Sequence, residues 1–393
     1  MRPAVFITAA VLAASTVSMS ASTPLARDGD HILRIDHAVP HVSTVPANFG
    51  QRVNLFVRER VLAGVDRTGA SNAANGKVVL FVHGGTVPSV PDYDLDYKDY
   101  NWMADLAQAG FDVFSMDQTG YGGSPKPKMD DPCNMNSVDQ PLLIPNPLPA
   151  PCAPHYPFTL TTSQSDWDEM DTVVNYIRAL TGVDRVSIIG WSGGGPRGGG
   201  YAARHPEKVD KLFLYAPGYS RNGRTDPPAT IPAPGFPMSI QTHDELMFDR
   251  WQATITCGQV DPGIRDVIWS TILAFDTLGA VWGTPPGLMR TRTAAPSWGW
   301  NAVYAARVTA PTLIIVGEQD AGLPTSRTLY EDLVNVDNKV RIEVACATHF
   351  MVWEETQHRT VLETSKDWLL HGSVKGVHQG VLRVDENRNY HKQ

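Results

Sequence analysis

The sequence predicts an α/β fold, a mostly parallel sheet flanked by helices with a helical cap inserted over one edge. Three observations lead there. Beyond Lys77, short β-branched runs alternate with stretches of helical period. One such run passes directly into Gly190-Trp191-Ser192-Gly193-Gly194, a glycine-rich turn between a strand and a helix. Two long segments that open with Pro and Gly, 122–157 and 218–301, interrupt the alternation.

At the start of the chain, Met1-Arg2-Pro3 precedes an apolar run over 4–14, and Ser18, Ser20 and Ala21 offer small residues for cleavage. This reads as a signal peptide over 1–24. The apolar run is shorter than the roughly 20 residues that a bilayer span needs, which counts against a retained anchor. The expectation is a secreted or periplasmic protein with no membrane span after cleavage.

Residues 25–217 read as the first part of the sheet domain. Runs over 31–39, 41–45 and 53–61, separated by Pro and Gly, read as antiparallel strands. Strands follow over 78–82, 111–115, 185–189 and 211–215, and after the interruption over 312–316 and 340–344. Helices are expected over 100–109, over 166–180 behind a capping box of Ser165 and Asp168, within 320–334, and over 353–370. The segment 218–301 reads as the helical cap, carrying Met247, Phe248, Trp251, Trp269 and Trp282 at partly helical spacing. Residues 302–393 complete the domain, with a polar tail from Ser373 that either trails or packs as an extension.

Hydrophobic residues are 42% of the 393 and charged ones 19%, enough for a large core and too apolar for a disordered chain. The formal charge of −8 comes without a dense Lys/Arg run, so nucleic acid is not an expected partner. In an oxidising compartment the even count of four cysteines favours disulfides. Cys133 and Cys152 share one Pro-rich stretch, so pairing them would close a local loop and leave Cys257 for Cys346. Three connectivities remain open. No H-E-x-x-H and no tight His/Cys cluster supports a metal, and no cofactor is expected.

The chemistry concentrates at strand ends. In G-x-S-x-G the turn forces Ser192 into a strained conformation and brings neighbouring chain close, so the flanking residues must be small. The following helix would aim free N–H groups at a developing oxyanion. Gly193, Gly195 and Gly198 also satisfy G-x-G-x-x-G, but the next strand ends in Tyr215-Ala216-Pro217-Gly218 without the carboxylate that a dinucleotide ribose requires. A serine nucleophile needs a base and an acid to orient it. Asp320 lies just past the strand at 312–316 and His349 just past that at 340–344, giving the order Ser, Asp, His. Glu318 is the rival acid, nearer the strand and shorter in reach. His83-Gly84-Gly85 ends the strand at 78–82 and offers the N–H of Gly85, or of Thr86, beside that of Gly193 for an oxyanion.

These features together resemble the α/β-hydrolase fold superfamily from about residue 33 to 371. The motifs are His83-Gly84-Gly85, Asp117-x-x-Gly120-x-Gly122-x-Ser124, the Gly190 to Gly194 turn, Gly317-x-x-Asp320 and His349. Within it, the Gly120-Tyr121-Gly122 turn, His349-Phe350 and the cap are similar to the esterase, lactonase and iminopeptidase branch. The resemblance implies attack by Ser192 on a carboxylic ester or lactone, with His349 as base and Asp320 orienting it. His349 acts as a base only when neutral, so activity should fall below its pKa, for which ~6.5 is the unperturbed reference. Trp191, Met247 and Trp251 are candidate contacts for a small apolar or aromatic substrate. Amide or iminopeptide hydrolysis is the alternative activity, for which Glu245, Asp249, Asp261 and Asp266 could hold a substrate amine. A binding protein without turnover is the alternative class. The run Gly193 to Gly200 is richer in Gly than the superfamily's usual helix at this point, and the excursion 122–157 is not general to it.

Overall fold

A computed structural model describes residues 31–64 and 77–393. The expected signal peptide over 1–24 lies outside the described residues. No described helix is long and apolar enough to cross a membrane.

One ten-stranded sheet organises the molecule. Its strands are β1 (Ile32–Val42), β2 (Arg52–Leu62), β3 (Val78–Val82), β4 (Asp112–Met116), β5 (Val186–Trp191) and β6 (Val209–Tyr215), continued by β9 (Thr312–Gly317), β10 (Lys339–Val344), β11 (Gly380–Val384) and β12 (Tyr390–Lys392). The order is β1-β2-β4-β3-β5-β6-β9-β10-β11-β12. From β4 to β11 every pairing is parallel, and antiparallel pairs close both edges. A separate antiparallel ribbon joins β7 (Met238–Gln241) to β8 (Met289–Arg292).

The central strands β3, β5 and β9 are almost wholly apolar because both faces are covered. Along β3, Val79 and Phe81 enter one core cluster while Val78, Leu80 and Val82 enter the other. The helices are α1 (Ser89–Tyr93), α2 (Trp102–Gln108), α3 (Ser163–Thr181), α4 (Gly194–Arg204), α5 (Ile264–Phe275), α6 (Ala302–Ala305), α7 (Leu323–Asp332) and α8 (Gln357–His371). On the first face lie α2, α5 and α8, through residues such as Trp102, Ile268 and Trp368. On the second lie α3, α4 and α7, through Trp167, Tyr201 and Leu329.

Three differences from the sequence reading follow, and one alternative it left open is resolved. The runs 31–39 and 41–45 are joined in the single strand β1, which passes through Pro40; an edge strand tolerates the missing N–H. The cap of α3 is Thr162, whose Oγ1 accepts from Ser165 N (3.1 Å) while Ser165 Oγ accepts from Thr162 N (3.0 Å); Asp168 instead accepts from Thr44 and Gln164. The segment 218–301 is mixed rather than wholly helical, since it holds the β7–β8 ribbon as well as α5. Finally, the polar tail extends the sheet as β11 and β12.

Both interruptions pack on each other. Met129, Met135, Leu143 and Leu148 of the first join Met238, Ile240, Trp282 and Leu288 of the second in a third apolar cluster. Cys133 is bonded to Cys152 within the first excursion, and Cys257 to Cys346 across 89 residues.

Candidate active site

Ser192 stands between β5 and α4 at φ 53°, a conformation that costs a non-glycine residue of order 1 kcal/mol or more and is held only by its surroundings. Its backbone is fixed from both sides: Ser192 N donates to Tyr215 O, and Ser192 O accepts from Gly195 N and Gly218 N, all at 2.9 Å. Close packing explains the small neighbours. A Cβ on Gly190 would lie 2.4 Å from Gly194 O, and one on Gly194 would lie 2.2 Å from Val82 O. The glycines later in α4 answer to indoles, because a Cβ on Gly199 or Gly200 would meet Trp300 or Trp167 below 3 Å.

Asp320 and His349 follow β9 and β10. His349 Nδ1 donates to Asp320 Oδ2 at 2.8 Å, and Asp320 Oδ1 accepts from Gly322 N at 2.7 Å. The carboxylate is 3% exposed and the imidazole 30%, a buried acid beside a reachable base. With its proton on Nδ1, His349 leaves Nε2 as an acceptor. Ser192, Asp320 and His349 line one cleft of about 500 Å³. The Ser192 hydroxyl makes no hydrogen bond among the described residues. Glu318, the rival acid, is directed away and pairs with Arg383 at 3.0 Å.

Three supports for His349 had no signal in the sequence. Trp191 Nε1 (3.1 Å) and Tyr215 Oη (2.9 Å) both donate to its carbonyl. Glu354, fully buried, accepts from Thr348 N (3.2 Å) and Thr348 Oγ1 (2.5 Å), holding the preceding residue. Burial pushes the Glu354 carboxyl up to about 7, against the lowering effect of the Thr348 and Gln259 hydrogen bonds. The Cys257–Cys346 bond also anchors this loop three residues before His349.

Across Ser192 lies the turn His83-Gly84-Gly85-Thr86. A Cβ on Gly193 would sit 2.9 Å from Gly85 N, so the amides of these two residues are neighbours. The turn is clamped through its carbonyls. Arg197 Nη1 donates to His83 O and Gly84 O, both at 2.9 Å, and His83 Nδ1 donates to Gly84 O at 2.7 Å. In a trans peptide the N–H lies opposite the C=O, so holding Gly84 O from one side aims Gly85 N–H to the other. Tyr121 Oη holds Gly85 O at 2.7 Å. Burial, aided by the Arg197 charge, keeps the His83 pKa well below its ordinary value, so the ring is neutral and its Nε2 accepts from Gln118 N. Arg197 is itself held by Asp166 (3.2 Å), which also pairs with Arg292 at 2.6 Å.

The Asp117 motif ties the same region together: Asp117 accepts from Ser89 N and Gly123 N, and a Cβ on Gly122 would collide with its carboxylate.

The expected substrate contacts divide. Trp191 lines a small cavity with Gly85, Thr86, Ser192 and His349. Met247 and Trp251 do not line the cleft; both are fully buried in the first core cluster, where their apolar bulk is satisfied by packing. Arg250, which lies between Met247 and Trp251 in the sequence, does reach the cleft, as do Gly218, Tyr219 and Thr254 of the same segment. Asp131, Cys133 and His155 lie close enough to share an ion, but the Cys133 sulfur is already bonded to Cys152.

Residues 77–255 match a family described as the alpha/beta hydrolase fold. No curated protein matches the sequence. Among solved structures, the chain is similar to a serine hydrolase involved in carbazole degradation, with 16% identity, a TM-score of 0.47 and coverage of 85% of this chain and 98% of that one. It is also similar to 2-hydroxy-6-oxo-6-phenylhexa-2,4-dienoate hydrolase from Rhodococcus sp. strain RHA1 (14% identity, TM-score 0.47, 86% and 99% covered). A third is the monoacylglycerol lipase of Paleococcus ferrophilus (17%, 0.48, 81% and 99%).

Proposed function

This chain has the α/β-hydrolase fold, and from that premise we propose that it is an exported serine hydrolase cleaving a carboxylic ester or lactone through an acyl-enzyme on Ser192. The observation that carries the reading is one cleft containing Ser192 at a strained turn and His349 hydrogen-bonded at 2.8 Å to a buried Asp320.

In this reading His349 Nε2 takes the Ser192 proton as Oγ attacks the carbonyl carbon. The oxyanion gathers hydrogen bonds from Gly85 N–H and Gly193 N–H. Collapse expels the alcohol, which leaves with the proton from His349. Water then repeats the sequence on the acyl-enzyme, giving up a proton to His349 and releasing the acid with Ser192 restored. The cleft volume suits a small molecule. The two disulfides support export, since such bonds persist in oxidising compartments. In this reading 218–301 acts as the cap.

The amide alternative lacks its amine partner. Asp261 is taken by Lys98 at 2.5 Å, Asp249 and Asp266 are exposed, and neither these nor Glu245 line the cleft. A fluorophosphonate probe tests the class: the folded protein should label stoichiometrically and Ser192→Ala not at all. Equal labelling of both, or none of either, would overturn the proposal. Turnover of aminoacyl anilides but not of nitrophenyl esters or lactones would refute the ester preference.

A further inference from the structure

Arg250 brings into the cleft a positive charge that the acyl-transfer steps do not use. It lies on the π-helical turn Glu245–Trp251, a geometry that recurs at functional sites. It lines the cleft with Ser192, Asp320 and His349, and the adjoining small cavity with Thr86. Both of its hydrogen bonds leave from Nη1, to Thr86 Oγ1 and Gln241 Oε1 at 3.1 Å. Both acceptors are neutral. Among the described residues, Nε and Nη2 donate to nothing and no acid pairs with the guanidinium.

Most other sheltered arginines are compensated; half-buried Arg178, bonded only to Asn175 Oδ1, is not, but it lies on α3 and lines neither cavity. Arg58 pairs with Asp36, Arg197 and Arg292 with Asp166, Arg290 with Asp276 and Arg341 with Glu343. Half-buried Arg204 and Arg265 have no acid but lie over the rings of Trp167 and Phe248. Arg250 has neither. Burial pulls its pKa down, and the Glu245 charge offsets this only in part. Asp92, which lines the small cavity too, is buried, and burial, followed by the Asp117 charge, raises its pKa well above its ordinary range; among the described residues it makes no ion pair with Arg250. A half-desolvated guanidinium with two free donor nitrogens facing a cleft is suited to a planar anion, which would accept a forked pair of charge-assisted hydrogen bonds.

We propose that Arg250 is the anion-binding group of this site, and that the ester or lactone opened at Ser192 carries a carboxylate. The proposal rests on the serine-hydrolase reading for its substrate and on the Arg250 surroundings for its charge.

Two matched substrate pairs test it: p-nitrophenyl butyrate against mono-p-nitrophenyl glutarate, with the charge on the acyl half, and phenyl acetate against 4-carboxyphenyl acetate, with the charge on the alcohol half. In at least one pair the native protein should favour the anionic member in kcat/KM by about tenfold or more, as expected of a charge-assisted hydrogen bond. Arg250→Gln should reduce that ratio to near one. A role confined to clamping Thr86 would lower both members equally and leave the ratio intact, which would overturn the proposal, as would the absence of any anionic preference. A binding arm separates this from failure of the nucleophile. On Ser192→Ala protein, calorimetry should show mono-p-nitrophenyl glutarate or 4-carboxyphenyl acetate binding at least tenfold more weakly when Arg250→Gln is added; unchanged affinity for both refutes the anion site whatever Ser192 does.

Discussion

In the serine-hydrolase reading an oxyanion loop and an acid–base loop face each other across Ser192, and the two are held by different means. On the oxyanion side, the carbonyls of His83, Gly84 and Gly85 are gripped by Arg197, His83 and Tyr121, and Arg197 is anchored in turn on Asp166. On the acid–base side, His349 and Asp320 are held by the Cys257–Cys346 bond, the buried Glu354 and two donors to the His349 carbonyl. The first arrangement orients peptide dipoles, whose value to an oxyanion depends on not having to reorient. The second fixes the loop that carries a side chain while leaving its imidazole partly exposed, as a group that must exchange protons with substrate and water requires. Their responses to substitution should differ accordingly.

The largest effect is expected from Asp320→Asn. Because Oδ1 already accepts from Gly322 N, the amide oxygen stays there and the NH2 faces His349 Nδ1. A donor in that position forces the proton to Nε2 and removes the base, so kcat should fall about 10⁴-fold with the fold intact. Loss below tenfold would mean that Asp320 does not set the tautomer.

Next come the disulfides. Chain entropy assigns about 4.5 kcal/mol to a bond closing the 89-residue interval of Cys257–Cys346 and about 3 kcal/mol to the 19-residue interval of Cys133–Cys152. Replacing Cys257 and Cys346 by Ser should lower both the unfolding midpoint and kcat, since the bond also anchors the His349 loop. Replacing Cys133 and Cys152 should lower the midpoint alone. Equal loss of kcat in both pairs would remove the distinction drawn between them.

Glu354 adds a pH signature to the acid–base side. Its pKa rises on folding from an ordinary 4.5 to about 7. The folded state therefore binds its proton more tightly, and the stability this contributes is present below pH 4.5 and lost as pH climbs to about 7. The loss is bounded by about 3 kcal/mol. Glu354→Gln, which keeps an oxygen for Thr348, should gain stability relative to the native protein across that window when urea midpoints are compared. A constant difference from pH 5 to 8 would show that Glu354 does not titrate there.

Much of this was legible because it obeys local rules. Strands such as 78–82 and 312–316 announce themselves by unbroken apolar runs, and Ser192, Asp320 and His349 by standing just past strand ends. Arg290 and Arg292 hid β8, because a strand written Met-Arg-Thr-Arg carries no apolar period; its arginines are buried only by virtue of Asp276 and Asp166. Arg250 was concealed for a related reason: what sets it apart is that no acid pairs with it, and that shows only in the fold. Met247 and Trp251 misled for the converse reason: apolar residues in an inserted segment read alike whether they face a ligand or a core.

The smallest effect, and the one that resolves the oxyanion side most finely, is expected from Tyr121→Phe. Tyr121 grips Gly85 O, the carbonyl of the peptide whose N–H belongs to Thr86, whereas Gly85 N–H belongs to the peptide gripped by Arg197 and His83. If Gly85 and Gly193 supply the donors, as their adjacency supports, the variant loses one hydrogen bond that steadies the turn from behind. That is worth about 1 kcal/mol, a fall of about fivefold in kcat at unchanged KM. If Thr86 N–H were the donor, the released peptide would be the one that stabilises the oxyanion, and kcat would fall toward the 10²–10³-fold of a lost oxyanion donor. Steady-state kinetics on a single nitrophenyl ester therefore separates the two amides, with the fivefold outcome assigning the hole to Gly85 and Gly193.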